Sequence, residues 1–343
     1  MKPRKYIAVL FLGFYCMLGS AQETDELLKQ AHKLDSIQNY KEAIKIYTKA
    51  IKINSELAGA WLSLANDKYK LGENKDALTD IAQALKVKPD YSDAFSKRGI
   101  IEASSGDVKA ALADMDKALE INERNIEALV QRGIIKSKTK KNKEAVGDFS
   151  AALEYKPNCL ECFIYRGKAR HQIGDYQLAM VDFNKADQID PKNFDLLKFR
   201  GATKFEIHDY KGAISDFDKA LEINPEDAEL YINRAGAKIN SRDNKGALED
   251  CDKALELDPK NPMIFNFRGT ARSGMKDYKG ALEDLDKAIK LKPTYSQAYI
   301  NRAAIKFASG DKRGSCADLV AADGMGNALA NDLIEKYCDM KVK

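Results

Sequence analysis

Between Thr24 and Leu329 the hydrophobic and polar positions of the chain recur every 34 residues, filling nine units with no insertion or deletion. The residue just before each "KGA" or "KEA" stretch marks the register: Tyr40, Asn74, Val108, Asn142, Tyr176, Tyr210, Asn244, Tyr278 and Lys312. Three residues on, Ala recurs as Ala43, Ala77, Ala111, Ala145, Ala179, Ala213, Ala247 and Ala281, and only Ser315 departs from it. A large apolar residue holds the fourth position of each unit, at Trp61, Phe95, Leu129, Phe163, Leu197, Tyr231, Phe265 and Tyr299. Four residues later stands a tiny one: Ala65, Gly99, Gly133, Gly167, Gly201, Ala235, Gly269 and Ala303. A step of four lies on one helical face, so the first half of each unit is predicted to be a helix.

A second helix is predicted from the "YKGA" stretch, where the Ala and apolar residues such as Phe217, Leu221 and Ile223 recur at helical spacing. It should stop near "NP", "DP" or "KP", because Pro disfavours helical geometry in the residue before it. Gly or Asp near "GDY" and "HDY" supplies the turn between the helices. The small residues mark close approach of the paired helices, and a large side chain there would cost roughly 1–3 kcal/mol. One hairpin cannot bury both its faces, and stacking of neighbours does so, giving a one-dimensional array.

The unit from Ala58 to Tyr91, with Trp61, Leu64, Ala65, Ala77, Ile81, Ala84 and Pro89 at fixed offsets, resembles a tetratricopeptide repeat. The resemblance implies an all-α, right-handed superhelical solenoid of antiparallel helix pairs that binds protein or peptide partners in its concave groove. The expected organisation is a signal peptide over 1–21, nine repeats over 24–329, and a capping helix with a tail over 330–343.

Two columns depart from the family pattern. The seventh position, often Leu in the family, carries Arg98, Arg132, Arg166, Arg200, Arg234, Arg268 and Arg302. The eleventh, usually Tyr, carries Lys68, Glu102, Lys136, Arg170, Lys204, Lys238, Arg272 and Lys306. Both lie on the packing stripe, where unpaired cations are costly. A carboxylate column answers at the 23rd position with Asp80, Asp114, Asp148, Asp182, Asp216, Asp250, Asp284 and Asp318. The expectation is an ion-pair ladder across each repeat junction, from Asp80 to Arg98 through Asp216 to Arg234 and on to Asp284 with Arg302, and Asp318 meeting Lys336. Repeat one, with Gln30 and Ile46, lacks both partners. The other use of the Arg column, gripping a peptide carboxylate, is disfavoured because the Asp column already neutralises it.

Some family members clamp a chaperone's terminal carboxylate with a Lys and an Asn on the inner helices. The equivalent pairs here, such as Leu62 with Asn66 and Lys198 with Ala202, hold no such clamp. The inner positions instead carry Tyr69, Lys70, His171, Gln172, Lys198, Phe205, Glu206, Asn266 and Phe307, the candidate partner-binding groove. Their mix of apolar and polar groups suits a peptide surface.

Chain ends and composition refine this. "MKPRKYIAVLFLGFYCMLGSAQ" reads as a secretory signal cut after Ala21, its apolar run being short for a membrane helix. The 56 basic and 52 acidic residues become 53 against 52 once Lys2, Arg4 and Lys5 leave, so nothing favours nucleic acid. The mature protein is expected in the periplasm, at the outer membrane or outside the cell, with no transmembrane segment. Five Cys then remain. Cys251 aligns with core positions, and a buried thiol is expected. The "CLEC" pair, Cys159 and Cys162, reads as a disulfide or two separate thiols, since neither a redox fold nor a second CxxC accompanies it. The last segment resembles the terminus of exported repeat proteins of this kind, which implies a Cys316–Cys338 disulfide holding the cap. Three scattered His (His32, His171, His208), no HExxH, no GxSxG and no phosphate loop argue against catalysis, a metal or a cofactor. The expected function is a non-enzymatic protein-interaction scaffold. The alternatives are a permanent subunit of an envelope export or assembly complex, and binding of a glycan or cell-wall polymer through Tyr69, Phe205 and Phe307.

Overall fold

The computed structural model describes residues 21–338, in which nineteen helices alternate with short turns and no strand occurs. The signal segment expected over 1–21 lies outside the described residues up to position 20, as do residues 339–343 of the tail. Helix α1 covers residues 21–36 and pairs in sequence with α2 (Tyr40–Ile53). Seven complete hairpins follow: α3 (Ala58–Lys70) with α4 (Asn74–Val87), α5 (Ser92–Ser104) with α6 (Val108–Ile121), and α7 (Ile126–Lys138) with α8 (Asn142–Tyr155). Then come α9 (Leu160–Gln172) and α10 (Tyr176–Ile189), α11 (Phe194–Glu206) and α12 (Tyr210–Ile223), α13 (Ala228–Asn240) and α14 (Asn244–Leu257), α15 (Pro262–Gly274) and α16 (Tyr278–Leu291). The array closes with α17 (Ser296–Ala308), α18 (Lys312–Asp323) and α19 (Ala328–Tyr337). The chain divides into two compact units, Met1–Ala169 and Arg170–Lys343.

Inside each unit the repeat solves its packing with the same few side chains. Ala43, Ala77, Ala111 and Ala145 in the first, and Ala213, Ala247 and Ala281 in the second, are fully buried. At the first-helix contact, size is exchanged between partners. Gly133 lies against Phe149, and Gly201 against Phe217, so closely that an added Cβ would sit 2.8 Å and 2.7 Å from the ring. Ala stands at this position beside Ile81, Cys251 and Leu319, as Ala65, Ala235 and Ala303, whereas Gly99 and Gly269 are kept against Met115 and Leu285, where an added Cβ would lie 3.0 Å from the side chain.

Second helices end one residue into extended backbone, as at Lys88, Asn224 and Lys292. Pro is only part of the reason. Asn122 is equally extended with Glu123 after it, and its side chain accepts from Arg124 N at 3.1 Å, a turn that Asp190 and Asn224 also make although Pro follows them. The turn inside each hairpin needs one left-handed residue. Gly72, Gly106, Gly174 and Gly310 provide it, but Lys140, His208, Arg242 and Lys276 also take a left-handed φ, between 63° and 67°.

Candidate partner-binding site

The charge ladder forms with a different register from the one the spacing suggested. Arg98 reaches forward to Asp114 of its own hairpin, Nε to Oδ2 at 2.6 Å and Nη2 to Oδ1 at 2.7 Å. The same two-pronged contact joins Arg132 to Asp148, Arg200 to Asp216, Arg234 to Asp250, Arg268 to Asp284 and Arg302 to Asp318. The expected pairs Asp80–Arg98, Asp114–Arg132, Asp216–Arg234, Asp250–Arg268 and Asp284–Arg302 are therefore replaced by pairs within each repeat. Asp80 binds Lys68 instead, and Asp182 binds Arg170 at 2.7 Å. Arg166, expected opposite Asp148, donates to Ser150 at 3.0 Å. Asp318 is held by Arg302 and Lys306, not by Lys336, whose ammonium lies over the Tyr337 ring.

The physical reason is the hairpin. Facing helices of one repeat bring its seventh position beside its 23rd, and the eleventh-position Lys joins the same carboxylate, as Lys204 does at 2.8 Å from Asp216. Four junctions are bridged by a column the sequence reading passed over. Arg132, Arg234, Arg268 and Arg302 use their remaining Nη1 on Asp116, Asp218, Asp252 and Asp286 of the preceding repeat. The guanidinium thus satisfies three oxygens while its plane rests near the aromatic three residues before it, Tyr231 under Arg234 at 5.5 Å for example. Burial alone would lower the Arg234 pKa, but Asp250 and Asp218 outweigh it and hold the group charged.

Two repeats break this column. At the eleventh position of the third repeat stands Glu102, and burial together with the Asp114 charge pushes its carboxyl up to about 7. In the first repeat Tyr47 donates to Asp35 at 2.5 Å and meets His32 at 2.8 Å. Asp67, 1% exposed, sits beside them with neither oxygen hydrogen-bonded, and burial followed by Asp35 raises it to about 8.

Within each unit the candidate groove residues have different surroundings. In the first unit Tyr69 packs against the core around Ile81, and Lys70 beside it is exposed. In the second unit His171 contacts Thr203 Oγ1 at 3.0 Å, and burial keeps its imidazole below the usual range against the pull of Glu206. Gln172 is exposed. Lys198 is committed to Asp227 at 3.1 Å and Glu229 at 2.6 Å. Asn266 is 3% exposed and accepts from Asn301 at 2.8 Å, so it supports the helix pair from inside and does not line a groove.

Phe205 and Glu206 do come together. With Ala202, Asn233, Gly236 and Phe267 they line a cleft of about 140 Å³ floored by Phe217. Phe307 lines a separate apolar cleft of about 250 Å³, with Leu333 and Tyr337 of the cap on its far side. A Cys316–Cys338 disulfide, S–S 2.07 Å, ties that cap to α18. Cys159 and Cys162 are also bonded to each other, and Cys251 is a buried free thiol that burial pushes up to about 12. Gly236, Asn233 and Phe267 were missed by the sequence reading. Their only signal was that Gly236 is the lone Gly at the ninth position of the complete repeats.

Among the described residues no helix is long and apolar enough to cross a membrane, and no cluster of metal-ligating side chains occurs. Two family models, both described as tetratricopeptide repeat, match the chain, one over residues 62–126 and 201–262, the other over 27–57, 165–193 and 264–295. No curated protein matches it. Among solved structures it is similar to a tetratricopeptide repeat protein from Parabacteroides merdae, with TM-score 0.59 and 19% identity over 72% of this chain and 99% of that one. It is also similar to the Cut9–Hcn1 hetero-tetramer of the APC/C, with TM-score 0.59 and 17% identity over 81% of this chain and 55% of the other. PilF of Pseudomonas aeruginosa aligns with TM-score 0.51 and 16% identity, over 62% and 96% of the two chains.

Proposed function

Because the chain belongs to the tetratricopeptide repeat family, we propose that it is a non-enzymatic scaffold, exported across the inner membrane, that holds a partner protein or peptide in the groove of its inner helices. Proteins of this family bind protein or peptide partners. The observation that carries the assignment is the cleft at Gly236, where half-buried Phe205 and Phe267 turn apolar ring surface toward open space. Ring surface exposed in a preformed depression, with polar groups at its rim, is what a binding site needs and a stacking surface does not. Export is supported by the basic and apolar leader before Ala21 and by two disulfides, which persist in oxidising compartments.

The test is photo-crosslinking in the native envelope with a reactive residue in place of Phe205, followed by identification of what is captured and of the mature N-terminus. One dominant protein on a chain beginning at Gln22 is the expected result. No capture, with the protein still in a large complex, would shift the function to its outer surfaces and to a permanent subunit role. An intact leader on a chain that fails to leave the cytoplasm would refute export.

A further inference from the structure

The cleft at Gly236 has walls, a floor and a charge, and together these select a ligand chemistry. Its walls are the rings of Phe205 and Phe267. A Cβ at Gly236 would lie 3.4 Å from Phe267 Cε1 and 3.7 Å from Phe205 Cε2, so the slot is open because this residue has no side chain. Its volume, about 140 Å³, is close to the roughly 150 Å³ that admits a benzene-sized group. One long side chain fits it.

The charge at the rim is Glu206. It is exposed and makes no hydrogen bond or ion pair among the described residues. Three lysines of the inner helices α11 and α13 are committed elsewhere: Lys198 to Asp227 and Glu229, Lys204 to Asp216, Lys238 to Asp250. His171, the charge-capable group that faces Glu206, is held toward its neutral form by burial. A purely apolar occupant would strip water from the Glu206 carboxylate and return nothing to it. An acidic one would add repulsion. A cation on an aliphatic stem satisfies every wall at once, since the stem packs between the rings, the charge is attracted to their faces, and the head meets the carboxylate.

We propose that this cleft seats a Lys or Arg side chain of an extended basic peptide, its stem between Phe205 and Phe267 and its charged head at Glu206. The assignment rests on the peptide-groove function proposed above and names the residue class that the groove selects.

A phage-displayed random dodecapeptide library panned on the full chain tests it, with Glu206→Gln and Gly236→Leu chains as comparisons. Glu206 is exposed, so Glu206→Gln keeps the fold even if Gly236→Leu does not. The expected binders share a Lys or Arg at one register and bind Glu206→Gln about tenfold more weakly, the loss of one charge-assisted contact. A folded Gly236→Leu chain loses them altogether. Binders that carry an apolar or acidic residue at the shared register, or that ignore Glu206→Gln, overturn the basic-peptide assignment and leave the peptide groove standing. A library that yields no binder overturns both.

Discussion

Gly201 and Gly236 stand one helix apart, and the structure assigns opposite signs to the same substitution at each. A Cβ at Gly201 would lie 2.7 Å from Cε1, 2.9 Å from Cδ1 and 3.1 Å from Cζ of Phe217. That ring is fully buried. Overpacking of this kind costs about 1–3 kcal/mol, against a gain of about 0.5–1 kcal/mol from replacing Gly by Ala inside a helix. Gly201→Ala should therefore destabilise by on the order of 1–2 kcal/mol. At Gly236 the nearest atom, Phe267 Cε1, is at 3.4 Å, an ordinary contact. There the helix term stands alone, and Gly236→Ala should stabilise by about 0.5–1 kcal/mol. Phe217→Leu removes the ring atoms that a Cβ at Gly201 would meet, so it should recover part of the loss in the Gly201→Ala background. The assay is native-state hydrogen exchange of α11 and α12, which reports local stability where a repeat array need not unfold as one unit, supported by urea melts. Shifts of the same sign at the two glycines, or a double mutant no better than the sum of its parts, would refute the size-exchange argument.

The charge register gives a second test: a double-mutant cycle to Ala should couple Arg234 to Asp250 by about 1–3 kcal/mol and Arg234 to Asp216 by less than about 0.5 kcal/mol. Measured urea midpoints decide between the two. Glu102 has a folded pKa raised to about 7 from its usual 4.5, so its contribution is intact at acid pH and is lost as pH rises through about 7. Glu102→Lys should abolish that decline and stabilise the third repeat by about 1–2 kcal/mol at pH 8, after allowance for solvent screening. Lys276→Gly and Arg242→Gly remove the cost of a left-handed non-glycine residue and should each raise stability by about 1 kcal/mol, whereas Gly72→Ala should lower it. Cys338→Ser releases the cap, and limited proteolysis should then cut between α18 and α19 while the repeats before α17 resist as before. An equally resistant cap would show that the disulfide is dispensable.

The period of 34 made the hairpins legible because it is imposed by stacking: Ala213, Ala247 and Ala281 recur since each meets the same wall of the next helix. Matched columns of Arg and Asp were legible for the same reason, yet their pairing was not. Arg234 stands 18 residues after Asp216 and 16 before Asp250, and only the geometry of the hairpin makes the second the partner. The bridging column at Asp116, Asp218, Asp252 and Asp286 escaped notice because Ala82, Ser150 and Asn184 interrupt it. Groove residues face no neighbouring repeat, so nothing forces them to recur. Asn266 looked like Phe205 in the sequence, both being inner-helix positions, and only the Asn301 contact shows that one is buried and the other is not. Gly236 was hidden by the regular glycines one position earlier, although those stand against a second-helix side chain of their own repeat and Gly236 borders an open cleft. In an array of this kind the periodic residues describe how repeats hold one another. The residues that break the period, among them Gly236 and Glu102, are therefore where a function specific to this chain is to be sought.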